Sequence, residues 1–210
     1  FNALLYSGLQ YTTATNALLL QAAIPAAVVL LDRALFKVRS PLWQTVGVVF
    51  STVGVAAIVF EGDPSAALRL HFGIGDALIL LSVLVWAVYT VFLRQRPRVS
   101  PVTFVAATFL LGVATMAPLA AMEWARGLRV DWSPGVVAAV AYVALLPSLL
   151  SYFLYNWAAG VVGPARAGQA ITLMPLFGAF LSAALLGESL HGYHFTGMVL
   201  IVLGIVLSAL

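Results

Sequence analysis

Charged side chains divide this chain into a series of long apolar stretches. Asp, Glu, Lys and Arg are missing from 1–31, 40–60, 77–93, 99–122, 132–165, 167–187 and 189–210. A helix needs about 20 apolar residues to cross the hydrocarbon core of a bilayer, and most of these stretches reach that length. The pattern predicts the tail of a helix over 1–10, then full spans at about 14–34, 41–60, 73–93, 101–122, 134–157, 164–186 and 192–210. Helix-start chemistry marks several boundaries: Ser40-Pro41, Ser100-Pro101, Ser133-Pro134, and Pro164 after Gly163. Proline suits a first helical position, because the N–H it lacks has no partner there in any case.

The apolar pattern also repeats. Pro25, Gly47 and Gly54 recur as Pro175, Gly197 and Gly204, each 150 residues later, and Leu31, Ala34 and Leu35 fall on Leu181, Ala184 and Leu185. Over 60 overlapping residues only 9 are identical, so the repeat rests on its landmarks. A unit of 150 residues leaves the first copy without about its first half; restoring it gives ten spans, of which this chain lacks about the first two and a half. The expected fold is an all-α integral membrane protein: a ten-helix transporter built from two inverted five-helix repeats. Residues 1–60 are the remainder of the first repeat, 61–72 a linker at the outer face, and 73–210 the second repeat. An odd number of spans inserts the second copy upside down. Inverted halves suit alternating access, since exchanging their conformations turns an inward-open state outward.

Composition agrees with the pattern. The chain is 63% hydrophobic and 8% charged, with a mean hydropathy of +1.07. Soluble domains carry about 25% charged residues. Cysteine is absent, which excludes a disulfide framework and a thiolate metal site. The pI near 9.5 reflects topology rather than nucleic-acid binding. One face collects Arg33, Lys37, Arg39, Arg94, Arg96, Arg98 and Arg166 against the single acid Asp32. The other holds Arg69, Arg126 and Arg129 with Glu61, Asp63, Asp76, Glu123, Asp131 and Glu188. The positive-inside rule makes the first face cytoplasmic and puts the C-terminus inside.

Three segments resemble a known family. Residues 2–25, NALLYSGLQYTTATNALLLQAAIP, are similar to the third and fourth helices of the drug/metabolite transporter superfamily, EamA type. Residues 75–94 resemble its sixth helix with the Trp-Ala-x-Tyr of Trp86 to Tyr89, and 185–207 its closing Leu-Gly-Glu…Gly…Gly segment. Lys37-Val38 departs from the Gly-Glu that many members carry in the first half. The resemblance implies a multi-pass protein of the bacterial inner membrane that exports small metabolites, with the amino-acid exporters of the YddG type as the nearest likeness. It implies no cofactor.

Several polar and aromatic residues are candidates for a substrate-facing surface. Ser148, Tyr152, Tyr155 and Asn156 recur at spacings of three and four, which on a regular helix forms one face. Such a face lines a wet cavity, bonds to neighbouring helices, or sits in the interfacial aromatic belt. Trp86 and Tyr89 form either an apolar wall with a polar tip or core packing. Tyr6 is the repeat equivalent of Asn156, and Asn2 that of Tyr152. Gln21, Gln169 and Thr172 are uncharged groups able to hold a zwitterion, or to bridge helices.

Pro25 and Pro175 fall near the middle of their spans, where each removes a backbone hydrogen bond and offers a bend point. Gly47, Ser51 and Gly54, and likewise Gly197, Gly204 and Ser208, line one face of their helices, for packing within the chain or at a dimer contact. His71, His191 and His194 with Glu188 read as solvated loop residues rather than a metal site.

No charged residue falls at mid-membrane depth, so the cavity is expected to be neutral and to favour small uncharged or zwitterionic solutes, amino acids included. Transport is then facilitative, or takes its coupling carboxylate from helices outside this chain. A cation or multidrug exporter and a non-transporting scaffold are the alternatives; nothing points to an enzyme. The expected partners are the solute and the lipid bilayer, with no nucleic acid, in a monomer or homodimer.

Overall fold

The computed structural model describes residues 1–69, 72–186 and 189–209, and the regular structure among them is helical. In chain order the helices are α1 (Asn2–Leu9), α2 (Ala14–Gln21), α3 (Ile24–Phe36), α4 (Leu42–Val59), α5 (Ile74–Phe92), α6 (Pro101–Ala125), α7 (Pro134–Val143), α8 (Ser151–Val162), α9 (Pro164–Gln169), α10 (Leu173–Leu181) and α11 (Gly192–Ala209). Among the described residues, six stretches are long and apolar enough to cross a membrane: Asn16–Phe36, Leu42–Val59, Ile74–Gln95, Pro101–Ala125, Pro134–Val162 and Pro164–Leu185. The seventh expected span appears as the shorter apolar helix Gly192–Ser208. Length and composition together describe a multi-pass membrane protein.

Three expected spans are not continuous α-helices, and proline accounts for the breaks. Span 14–34 divides into α2 and α3, with Pro25 in the first turn of α3. Proline has no N–H for the carbonyl four residues back, and its ring collides with that carbonyl. For Pro25 that residue is Gln21, where α2 ends. Pro175 acts in the same way on Ile171, which lies in the 3₁₀ turn Ala170–Thr172 between α9 and α10. In the third case Pro147 sits within a π-helical stretch, Ala144–Leu150, between α7 and α8.

Capping follows the sequence at two of the expected starts. Ser100 accepts from the Thr103 amide at 3.1 Å and Ser133 from that of Val136 at 3.3 Å. Ser40 does not cap. Pro41 is extended (φ −55°, ψ 153°), so α4 begins one residue later, at Leu42, beyond reach of the serine hydroxyl. Gly163 joins α8 to α9 at φ 89°, ψ 158°, a conformation open only to glycine.

The chain forms two compact units, one of residues 1–94 with 162–210 and the other of 95–161. In the first unit α3 and α5 bury Ile24, Val28, Val83, Ala87 and Val91 together. Nearby, Ala22, Val55 and Ile201 form a second cluster. At the ends of α3 and α5, Asp32 pairs with Arg94 through two contacts, Nε to Oδ1 at 3.2 Å and Nη2 to Oδ2 at 2.5 Å. Asp76, in the first turn of α5, accepts from the Gly73 amide at 2.9 Å and from the Thr12 hydroxyl at 2.6 Å, tying α5 to the loop before α2.

Lipid is as apolar as leucine, so helices in a bilayer associate through close packing rather than through escape from water. The crossing of α4 with α11 shows this. A Cβ added to Gly47 would lie 2.3 Å from the Gly204 carbonyl oxygen, and one on Gly204 2.5 Å from that of Gly47. Gly54 and Gly197 oppose each other equally closely, at 2.6 Å in both directions. An offset of 150 carries Gly47–Gly204 onto Gly197–Gly54, and carries the central pair, Ser51 with Ile201, onto itself. At that centre the buried Ser51 hydroxyl donates to the Ile201 carbonyl at 3.4 Å. Gln169 Nε2 donates to Ser51 Oγ at 3.1 Å and to the Gly204 carbonyl at 3.0 Å. These small residues therefore meet within one chain.

In the second unit, Arg96 donates from Nη1 to the Asn156 carbonyl at 2.8 Å, and Tyr152 meets the Phe109 ring edge-on at 5.6 Å. An apolar gap of about 330 Å³ lies among Val102, Val105, Ala106, Leu149 and Phe153.

Candidate functional site

A cavity in the first unit measures about 760 Å³. Small-molecule sites run from about 300 to 1,000 Å³. Its walls come from α2 (Leu18), the end of α4 (Ile58, Val59, Glu61), α10 (Met174, Pro175, Gly178, Ala179) and the segment leading into α11 (Ser189, Leu190, His191, Tyr193, His194).

The polar part of this lining is concentrated where α4 ends and α11 begins. Helix α4 stops at Phe60, after which Glu61 and Gly62 both take positive φ, 53° and 77°. The Gly62 amide returns to the Ala57 carbonyl at 3.0 Å, a Schellman closure that satisfies an end carbonyl. Glycine takes this conformation freely; a glutamate in it costs about 1–2 kcal/mol. Glu61 is exposed, and nothing among the described residues pairs with its carboxylate. Gly62 packs against Tyr193, and a Cβ there would lie 3.1 Å from that of Tyr193.

Across the mouth stand three rings. His191 stacks on Tyr193 with centroids 5.4 Å apart and planes inclined by 3°, and Tyr193 lies 4.2 Å from His194. The His191 amide donates to His194 Nδ1 at 3.0 Å. His194 thereby caps the start of its own helix, in the manner of the residue three places inside a capping box. Among the lining residues described, Glu61 is the one with a fixed formal charge.

The floor is made by residues singled out from the sequence. Pro175, with Leu18 and Met174, closes the cavity and borders a further gap of about 10 Å³ that also touches Gln21 and Thr172. That gap has room for roughly one water. Thr172 donates to the Gln169 carbonyl at 2.7 Å, turning its hydroxyl back on its own chain. The structure thus gathers Gln21, Thr172 and Pro175 and leaves Gln169 one layer away, bonded into the α4–α11 crossing.

The other candidates stand apart from this cavity. Trp86 and Tyr89 form a ring cluster with Phe1, at 4.8 Å from Phe1 to Trp86 and 5.6 Å from Trp86 to Tyr89. Tyr6 lies 62% exposed on α1. Pro25 is buried at the start of α3, beside Ile24 of the apolar core. Ser148, Tyr152 and Asn156 belong to the second unit, where Asn156 is buried and the other two are partly so. The single face expected of these residues assumes a regular helix. Ser148 lies in the π-helical stretch Ala144–Leu150, while Tyr152 and Asn156 follow in α8.

The rim itself escaped the sequence reading. Glu61 was assigned to a charged loop and the histidines to solvent, whereas the structure sets Glu61, His191 and His194 around one cavity. A signal was present in the sequence: two histidines three residues apart at the start of a helix, and an acid directly before a glycine at the end of another. His71 and Glu188 lie outside the described residues. No group of three or more His, Asp or Glu among the described residues is arranged to hold a metal ion.

Comparison with known proteins agrees with this architecture. Residues 1–60 and 73–210 match the EamA-like transporter family. The uncharacterized transporter YyaM of Bacillus subtilis is 25% identical over the whole of this chain, which covers 68% of it. An uncharacterized transporter of Archaeoglobus fulgidus is 29% identical over 97% of the chain, which covers 69% of that protein. A solved crystal structure superposes on 97% of the chain with a TM-score of 0.78 at 18% identity, a likeness of fold, and the chain covers 70% of it. The chain spans about two thirds of the length of these curated relatives.

Proposed function

The chain belongs to the EamA-like transporter family, and from that premise we propose that it carries small neutral or zwitterionic metabolites, amino acids including aromatic ones, across a bilayer by alternating access. Its relatives are transporters by name, which supports movement of a solute rather than catalysis.

The observation that carries the alternating-access reading is the α4–α11 crossing. Its glycine contacts map onto themselves under the same offset of 150 that relates the two prolines. A chain meeting its own repeat about a two-fold axis supports two inverted halves, with Ser51 and Ile201 on the axis. The proline breaks before α3 and α10 then fall at equivalent places, one in each half, as two bend points of a rocking pair would.

The substrate class rests on charge. Within the described spans, ionisable groups keep to the ends: Asp32 is paired with Arg94, and Asp76 is held by Thr12 and Gly73. A charged cargo would need an opposite charge in the middle of the bundle. A facilitative carrier needs none. The basic end around Arg33 and Arg94 faces the cytoplasm in this reading, which puts the cavity mouth at Glu61 on the outer side of a bacterial inner membrane, with transport outward.

The experiment is uptake of radiolabelled amino acids by proteoliposomes containing the full-length protein, with and without a proton gradient. Saturable uptake that ignores the gradient is the expected outcome. Absence of uptake for every amino acid overturns the substrate class.

A further inference from the structure

We infer that the cavity between Glu61 and the His191–Tyr193–His194 rings is a binding site for an organic ammonium group, so that the protein selects solutes by a positively charged end at this mouth. The inference rests on the reading of the chain as a carrier and adds a chemical preference to it. Three observations meet here.

Charge is the first. A cavity of about 760 Å³ contains one fixed formal charge among its described lining residues, the Glu61 carboxylate, and no lysine or arginine is among those residues. The Glu61 carboxylate attracts a cation, with solvent screening part of that attraction because the side chain is exposed. An anion meets no fixed positive charge among the described lining residues. A zwitterion finds a partner for only half of itself.

The second is the aromatic part of the wall. Three rings cluster there, with centroids 5.4 Å apart for His191 and Tyr193, 4.2 Å for Tyr193 and His194, and 5.9 Å for His191 and His194. Ring faces carry negative quadrupole charge and attract ammonium groups lying within about 6 Å. In the proposed site the Glu61 carboxylate and the Tyr193 ring, both lining the cavity, hold a primary or quaternary ammonium whose hydrocarbon part rests on Leu18, Ile58 and Met174.

Backbone geometry is the third. Glu61 holds a left-handed conformation at φ 53°, which is disfavoured for a long side chain, although asparagine or glycine would end α4 without that cost. Strain of this kind collects where a side chain must be presented in a fixed place. Here the residue that takes this conformation lines the cavity.

The test is equilibrium binding of radiolabelled phenethylamine to the full-length protein in detergent, with phenylalanine and 3-phenylpropionate as competitors. The three share a skeleton and differ in charge. The amine should bind about tenfold more tightly than the zwitterion, and the anion should not compete. Glu61→Asn removes the charge but suits the left-handed turn, so the variant folds; it should weaken amine binding about tenfold. Glu61→Asp keeps the charge and should stay within about threefold of the parent. Tyr193→Ala should weaken amine binding severalfold. Parent-like amine binding by Glu61→Asn overturns the site, as does equal binding of all three compounds or no binding of the amine. Amine binding without amino-acid uptake by proteoliposomes would overturn the proposed function and leave the site standing.

Discussion

Helices α4 and α11 meet in two places, and the two are built by opposite rules. At their crossing the contacts are symmetric: glycine opposes glycine on either side of Ser51 and Ile201, and a single added methyl would intrude on a carbonyl at 2.3 to 2.6 Å. At the end that carries Glu61 the arrangement is asymmetric. Through the offset of 150, His191, Tyr193 and His194 correspond to Pro41, Trp43 and Gln44, which share neither the paired imidazoles nor the neighbouring carboxylate. The shared geometry is mechanical, and the chemistry is confined to one end. In the proposed reading, two repeated halves stay alike where they bear on each other and differ where they meet the solute.

The largest effect is expected where the symmetry is tightest. Gly204→Leu places a branched side chain where even a Cβ would be 2.5 Å from the Gly47 carbonyl, and should leave no folded protein in detergent extracts. Gly204→Ala is the milder form and should lose about 1–3 kcal/mol of stability, read as a lower melting temperature on size-exclusion analysis. Gly47→Ala should match it, because the close approach is mutual. Unequal losses from the two alanine variants would break the symmetric description of the crossing.

The prolines sharpen the contrast next. Both break their helices, but Pro175 lines the cavity floor whereas Pro25 is packed beside Ile24 of the α3–α5 core. Either Pro→Ala change should slow transport, by about tenfold if a bend point is worth about 1.4 kcal/mol of barrier. Pro175→Ala alone should also alter amine binding, by reshaping the wall. Equal binding changes in both variants would mean that the cavity reports the bend rather than the residue.

Asp32→Asn probes the end of α3 opposite the cavity. Asp32 is buried and Arg94 is 38% exposed, so solvent screens the pair on one side and the guanidinium can turn outward. The expected loss is about 1 kcal/mol, below that of a fully buried pair and near the top of the range for exposed ones. Thermal melts with Asp32→Asn, Arg94→Gln and the double variant measure the coupling directly. A coupling near zero would remove the pair from any account of how α3 and α5 are held.

Much of this was legible in the sequence because bilayer physics leaves few options. Uncharged runs of about 20 residues read as spans, and Gly47, Gly54, Gly197 and Gly204 at matching spacings pointed to close helix packing, within the chain or at a dimer contact, without naming the partner helix. The proline breaks were legible too, since a missing N–H has the same effect in either half. Other features depend on information that periodicity lacks. One is the π-helical stretch through Pro147, since no count of threes and fours anticipates a widened turn. The cavity rim joins Glu61 to His191 across 130 positions of sequence. Their closeness follows from the antiparallel crossing of α4 and α11, which glycine spacing implies only after the two helices are known to be partners.

The smallest effect is expected from Gln169→Met. Gln169 is buried, and its Nε2 serves Ser51 and the Gly204 carbonyl, but its Oε1 has no hydrogen-bond partner among the described residues. An unsatisfied buried carbonyl costs about 1–3 kcal/mol, while the two bonds on the other side of the amide return about 0.5–1.5 kcal/mol each. These terms nearly cancel. Methionine has similar length and no polar atom to desolvate, so the change in stability should be under about 1 kcal/mol in either direction, read from thermal melts. A loss well beyond that would mean that Oε1 is satisfied in the membrane by a group beyond the described residues. The crossing would then be a polar junction, and its likeness to the chemical end of α4 and α11 would be closer than the glycine contacts imply.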